Sequence, residues 1–379
     1  MSYQQIYATV NTIASNISYT GNTVVDTSTF VAFGNAALSS PIGVEGVYNT
    51  LNDMIARTVF AIDNAPDKER GIIVDAFEYG SILRKLSFIT QNSEIASTWT
   101  PATPQNPYTV QGKTGIVQKY FEQNIPAFAW VDVAYDRQLR EAFRDETSLA
   151  GFIDALYTRM TNAYNISKQG LADNAINSLM AYIYNDSTDM NASRRVRHLL
   201  TEYNATHTPT LSGATALEDA NYKEFIRKTI ITDKLNLDRM THLYNTIGAS
   251  GSEVPIDRRS TEDDLNLDLS INVTTAFAKY YGETYNENYI VLPKHNEIVN
   301  WGIATSPNEA KVTLDGNTTV DITDIIGFMY DRDAVVATMD GVRFINKYDE
   351  WNERNVFKLT AERRYTCDPT ENAILYLND

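Results

Sequence analysis

Few residues in this chain have the types and spacing that chemistry requires. The four histidines are His198, His207, His242 and His295. No two stand at i and i+4, and none lies near Cys367, the only cysteine. A zinc site from local ligands is therefore not expected, and one cysteine excludes an intrachain disulfide. Cys367 follows Arg363 and Arg364, whose charge would lower a thiol pKa. A small residue closing a strand is the simpler reading. Gly112-Lys113-Thr114 resembles the end of a phosphate-binding loop, but the first glycine of such a loop would fall on Pro107. A phosphate cradle needs free backbone N–H groups, which proline lacks. Asp331 with Asp333, and Asp263 and Asp264 with Asp268, are carboxylate pairs in a chain holding 48 Asp and Glu. Ion pairs or a solvated face account for them more simply than acid–base work. Arg194, Arg195 and Arg197 form a small basic patch that pairing with surplus acids explains. There is no Gly-x-Ser-x-Gly elbow to nominate a nucleophile. No catalytic residue, cofactor or metal is expected.

The balance of charge points the same way. The 379 residues carry 32 Lys and Arg against 48 acids, a net charge of -16. A dedicated nucleic-acid binder needs a basic face, and an acidic total argues against one. No apolar run approaches the ~18 residues of a membrane span, so no membrane partner is expected. The first residues show no signal peptide. Tyrosine, at 23 residues, is frequent, and its apolar body with a polar tip suits wet protein interfaces.

These side chains are carried on contrasting segments. Residues 1–43 are rich in Ser, Thr, Asn and Gly, and predict an arm ordered by partners rather than by a core of its own. Val44, Val47, Leu51, Ile55 and Val59 predict a helix over 44–62. Residues 71–90 and 108–121 predict two strands of a long excursion, 68–124, whose tip holds Pro101, Pro104 and Pro107. An isolated hairpin is marginal in water, so it should lie on something else. Leu149, Ile153, Leu156, Met160, Ala163, Ser167, Leu171, Ala175, Leu179 and Tyr182 predict one long helix over 147–185, with Asp145, Thr147 or Ser148 as cap and Gly170 as a point where it could bend. Residues 191–334 predict an α/β unit: a helical segment over 218–245, an exposed charged run at 257–264, an alternating half-buried strand at 265–271, a helix at 276–281 and a strand at 289–293. Asp340-Gly341 predicts a tight hairpin between 334–339 and 342–346. Residues 356–365 and 373–377 predict the last strands.

This layout resembles the major capsid proteins of tailed bacteriophages, the Hong Kong 97 fold, and looks closest to those of small short-tailed, picovirus-like phages. The resemblance covers about 44–379. It rests on Val117-Gln-Lys-Tyr-Phe-Glu-Gln-Asn-Ile-Pro126, Asp136-Arg-Gln-Leu-Arg-Glu-Ala-Phe143 and Leu149 to Tyr184, which look like the exit from the family's extended loop into its spine helix. Asn352 to Tyr365 with Asn372 to Leu377 resemble its closing strands. The resemblance implies an α+β protein in four parts. An N-terminal arm and short helix would be 1–65, and an extended loop 66–125. A peripheral domain would take 126–190 with 335–379, and an axial domain 191–334.

It also implies a structural protein forming hexamers and pentamers of an icosahedral shell around double-stranded DNA. DNA would be held by non-specific contact. A scaffolding protein, a portal protein and minor or decoration capsid proteins would be partners, with assembly in the host cytoplasm. Arg84, Lys85, Trp99, Tyr108 and Lys113 are the expected inter-subunit contacts, with Arg84 and Lys85 facing acids of a neighbour. Some members cross-link Lys to Asn, but no Asn or catalytic Glu can be placed against Lys85 or Lys113. Two other readings stand beside this one: an encapsulin-like compartment shell, and a soluble α/β enzyme with its site in 191–334.

Overall fold

The computed structural model describes residues 3–17, 19–21, 23–39, 43–50, 82–88, 116–122, 127–213, 215–246, 256–283, 293–302, 306–314 and 318–379. Helix α1 (Tyr3–Asn16) and α2 (Thr27–Ala37) lead the chain, and residues 43–50 are helical. Strands β1 (Ile82–Phe88) and β2 (Ile116–Glu122) pair antiparallel, Ile82 opposite Glu122, as the two-stranded excursion requires. Its proline-rich tip lies outside the described residues. Strand β3 (Ala127–Tyr135) and helix α3 (Asp136–Ala142) lead into α4, Glu146–Asn185, 40 residues without a break. At ~1.5 Å per residue α4 is roughly 60 Å long. Asp145 caps it by accepting from Ser148 N at 2.7 Å. The helix passes through Gly170 uninterrupted.

The spine helix supports two sheets. The first contains β10 (Val335–Asp349), β11 (Arg354–Cys367) and β3, all antiparallel. In β11, Asn355, Phe357, Leu359 and Ala361 are buried while Val356, Lys358 and Thr360 are not, which is the period-2 pattern of a sheet covered on one side. The covering element is α4; Trp130 of β3 donates from Nε1 to Ser167 Oγ at 3.0 Å.

The second sheet has the order β4-β12-β9-β5-β6. Its strands are β4 (Val196–His198), β5 (Leu265–Ser270), β6 (Asn296–Ile298), β9 (Ile325–Asp331) and β12 (Ala373–Leu377). Every residue of β9 and β12 is buried. Their side chains alternate between two cores. Phe328, Tyr330, Ala373, Leu375 and Leu377 join the core built around α4, together with Val320 and Ile322 of the small ladder β7 (Ala310–Thr313)–β8 (Thr319–Ile322). Ile326, Met329, Ile374 and Tyr376 face a second core. That core is closed by α5 (Leu199–Asn204), α6 (Ala220–Leu237) and α7 (Ile271–Glu283). Gly327 is required where β9 crosses β5: a Cβ there would lie 2.5 Å from Leu269 Cδ2 and 2.7 Å from Asp268 O.

Four expectations are corrected. Residues 1–43 do not lack a core of their own. Ile6, Val10, Ile13, Phe30 and Phe33 are buried, and Phe30 stacks on Phe143 at 5.6 Å. Tyr7 donates to Glu146 at the start of α4 at 2.7 Å. Sparse apolar residues hid this, because two short helices bury only one narrow stripe each. The Asp340-Gly341 hairpin does not form. Strand β10 runs through both residues, with a register shift between Asp340 and Arg343, and the chain turns at Glu350–Asn352 instead. Continuous pairing with β11 outweighs the local turn preference, and the extra residues are absorbed as a bulge. Strand β5 is not half-buried: pairing on both edges and helices above bury its second half, including Asp268. Finally, residues 335–379 do not all close on the peripheral sheet. Strands β10 and β11 do, but β12 crosses into the second sheet between β4 and β9. An apolar pentapeptide takes the most buried slot, wherever it lies. The expected strand at 289–293 falls, but for Pro293, outside the described residues.

Phe33→Ala is expected to cost the unassembled subunit about 3–5 kcal/mol, and deletion of 1–43 should remove soluble folded subunit. An unchanged thermal melt for Phe33→Ala would show that the arm is not part of the subunit core.

Candidate functional site

The densest polar cluster lies where the chain passes from one sheet to the other. The crossing is Asp368-Pro369-Thr370-Glu371-Asn372, between β11 and β12, and all but Pro369 are buried. A buried turn must find partners for each polar group. Asp368 N donates to Ala334 O at 2.8 Å, and Asp368 Oδ1 accepts from Thr370 Oγ1 at 2.6 Å. Pro369 O accepts from Arg195 Nη2 at 2.8 Å and from Thr246 Oγ1 at 2.9 Å. Thr370 O accepts from Arg258 Nε at 2.8 Å. Asn372 Nδ2 donates to Ser260 Oγ at 3.0 Å, and Ser260 in turn donates to Asp331.

The extended hairpin is rooted in this cluster. Lys85 of β1 reaches Asp368 Oδ2 at 3.1 Å, Glu371 Oε1, and Asp333 O at 3.0 Å. Arg258 reaches Glu371 Oε1 at 2.6 Å from the other side. Two cations thus flank two buried carboxylates. Burial pushes the Glu371 carboxyl up, and Lys85 and Arg258 pull it back. Lys85 therefore meets acids of its own chain, where the sequence placed it against a neighbour's. The acids were invisible as partners because 283 positions separate Lys85 from Asp368 in sequence. Arg84 lies beside it in β1, opposite Tyr120. Trp99, Tyr108 and Lys113 lie outside the described residues. Sequence reasoning missed Asp368, Glu371 and Arg258; it assigned 257–264 to solvent, yet Ser260 is fully buried and the Arg258 side chain is only 15% exposed.

The other chemistry-bearing residues resolve into structure. Arg195 is buried against Asp189 at 3.2 Å. Arg197 grips Glu202 at 2.6 and 2.7 Å and Asp233 at 3.0 and 3.1 Å, so two of the three arginines of the basic patch pair with acids as expected. Asp233 also accepts from Tyr376 OH at 3.2 Å. Burial raises Asp233 from 3.8 to about 6 against the pull of Arg197 and the Tyr376 hydroxyl. Cys367 donates from Sγ to Ala175 O at 3.1 Å, and burial lifts its thiol to about 12. His198 contacts Asp379 at 2.6 Å, His242 contacts Asp257 at 2.8 Å, and His207 stacks on Tyr203 at 4.0 Å. Among the described residues no three His, Cys, Asp or Glu side chains gather as metal ligands. No described helix is long and apolar enough to cross a membrane.

The cluster is thus a fastening between a strand pair and two sheets. The family model of the Phi29-like phage major capsid protein matches residues 6–377. The chain belongs to that family. Solved structures agree on the fold. A chain in the capsid structure of Staphylococcus phage Andhra is similar with a TM-score of 0.54 at 9% identity, over 81% of this chain and 83% of that one. A chain in the structure of the head fiber and inner core protein gp22 of native bacteriophage P68 gives a TM-score of 0.55 at 9% identity, over 82% and 84%. No curated protein matches. The Hong Kong 97-like α+β fold and a structural role in a phage capsid shell follow, and the family assignment sets aside the compartment-shell reading.

Two measurements check the electrostatics. Lys85→Ala strips one cation from two buried carboxylates, which should lower subunit stability by about 3 kcal/mol or more, with Lys85→Arg restoring part of it. A melt equal to wild type would show the root contact to be idle. Asp233 gives a pH dependence. Its folded pKa lies above the unfolded one, so the folded state holds the extra proton and stability falls as pH rises from 4 through 6. A rise from 3.8 to about 6 is worth about 3 kcal/mol. The stability difference between wild type and Asp233→Asn should shrink by about that much between pH 4 and pH 7; a pH-independent difference would refute the assignment.

Proposed function

We propose that this chain assembles as hexamers and pentamers into an icosahedral shell that encloses double-stranded DNA. The observation that carries the reading is the family match from residue 6 to residue 377, nearly the whole chain. The physical features support it. The strand pair β1–β2 is fastened to the body at Lys85, and an isolated pair of strands is marginal in water without further partners. Among the described residues, Val131 and Ile345 stand exposed in one cross-strand row, with Trp351 exposed at the turn of the same sheet, and adjoining apolar surface of this kind marks an interface. The acid surplus suits an inner wall that does not grip DNA tightly. The working role is structural rather than catalytic.

The division into an arm and short helix (1–65), extended loop (66–125), peripheral domain (126–190 with the strands of 335–367) and axial domain (191–334 with β12) is proposed with it. So are its partners: a scaffolding protein, a portal protein, minor or decoration capsid proteins, and DNA by non-specific contact. Assembly would take place in the host cytoplasm. Arg84, Trp99, Tyr108 and Lys113 remain proposed contacts on a neighbouring subunit, and Lys85 acts by holding the hairpin in position. Neither a cofactor nor a metal enters the proposal.

The full chain produced with its scaffolding protein should give closed shells by negative-stain microscopy. Trp99→Ala should reduce their yield while leaving the subunit melt nearly unchanged, since a buried Trp anchor at an interface is worth ~2 kcal/mol or more. Soluble monomer alone, with scaffold present, would overturn the shell reading. Normal shells with a lowered subunit melt would mean that Trp99 packs on its own subunit.

A further inference from the structure

We propose that the open face of the sheet β10-β11-β3, from the Ile345 row to Trp351, is a docking surface for an acidic segment of a second copy of this chain. The inference rests on the shell reading above and names a surface for it. The spine helix covers one face of this sheet. On the other, the register lines up four cross-strand rows: Arg343–Thr360–Ala129, Ile345–Lys358–Val131, Lys347–Val356–Val133 and Asp349–Arg354–Tyr135.

The first three rows combine cations with apolar side chains. Arg343, Lys347 and Lys358 are exposed, and none makes an ion pair among the described residues. Val131 and Ile345 are 61% and 52% exposed. In the fourth row the acid is already used: Asp349 Oδ2 meets Arg354 Nε at 3.1 Å and Asn352 Nδ2 at 2.7 Å. These bonds, with Glu353 in the left-handed region at φ 46, fix the turn that holds Trp351 at 94% exposure. Glu350 and Glu353 flank that Trp, and Glu362 lies beyond the opposite end, so the middle of the face is cationic.

The occupant follows from charge and apolarity together. A net charge of -16 leaves acid in excess over the rest of the molecule, so a second copy offers complementary surface to a cationic face. Nucleic acid would use the cations but leave Val131, Ile345 and Trp351 in water. β-Branched rows beside an exposed Trp fit a protein segment that is dry at its centre and charged at its rim.

The test is carbodiimide cross-linking of shells assembled from a mixture of 15N-labelled and unlabelled full-length chain with its scaffolding protein. Lys347 or Lys358 should join an Asp or Glu in peptide pairs of mixed isotope, in shells and not in unassembled subunit. In parallel, Arg343→Glu, Lys347→Glu and Lys358→Glu combined should lower shell yield at least tenfold without shifting the subunit melt. Shells lacking such cross-links, or wild-type yield from the triple variant, overturn the proposal. Normal shells of the triple variant that fail only to retain DNA also overturn it, in favour of a nucleic-acid face. If the triple variant does not fold, the cross-link on wild-type protein decides. Wild-type chain that stays monomeric with scaffold present overturns the shell reading, and this surface with it; shells without the cross-link overturn the surface alone.

Discussion

Five residues between β11 and β12, four of them buried, hold this molecule together. A chain that leaves one sheet and enters the middle of another must bury a turn, and a buried turn exposes carbonyls and carboxylates to a medium that cannot solvate them. The turn solves this with partners from distant parts of the sequence: Arg195 and Thr246 on the Pro369 carbonyl, Arg258 on Thr370, Ser260 on Asn372 and Ala334 on Asp368. The same turn offers Asp368 and Glu371 to Lys85. One polar knot thus fixes the seam between two sheets and the β1–β2 strand pair.

The spine helix makes that arrangement stiff. It packs against α1, all three strands of the three-stranded sheet, the β7–β8 ladder and β12 of the five-stranded sheet, and its buried residues share one core with them. Apolar side chains along some 60 Å of helix leave the two sheets little freedom to move apart, because sliding either would expose buried surface at ~25 cal/mol per Å². A shell subunit must transmit load between neighbours, and a continuous helix shared by both sheets is a physical means of doing so. Helices α1 and α2 extend the same core, so the leading segment strengthens the subunit before any neighbour arrives.

The distribution of charge separates interior work from surface work. The arginines at 195, 197 and 258 are consumed by buried or half-buried acids. Buried pairs of this kind contribute more to a unique arrangement than to net stability. The cations on the open sheet face are left for association, where they affect encounter and register more than affinity. Trp351 and the valines beside them supply the apolar area that charge alone lacks.

Local pattern was enough for the elements whose period is written in contiguous residues. The stripe from Leu149 to Leu179 set the spine helix to within a residue at its start, the cap was one of three candidates that only the structure narrowed to Asp145, and the strand pair of the excursion was legible from alternation on either side of three prolines. The order of these elements was enough to suggest the capsid fold. Four features depended on tertiary structure. Asp340-Gly341 prefers a turn in isolation, but thirteen cross-strand partners make a continuous strand the better solution. Residues 373–377 read the same whether they end one sheet or fill another; only the vacancy between β4 and β9 decides. Lys85 carried no sign of its partners, because an ion pair's energy depends on distance in space and the sequence records only separation along the chain. The open basic face needed the register of three strands, since a one-residue slip would turn Lys358 inward and Leu359 out.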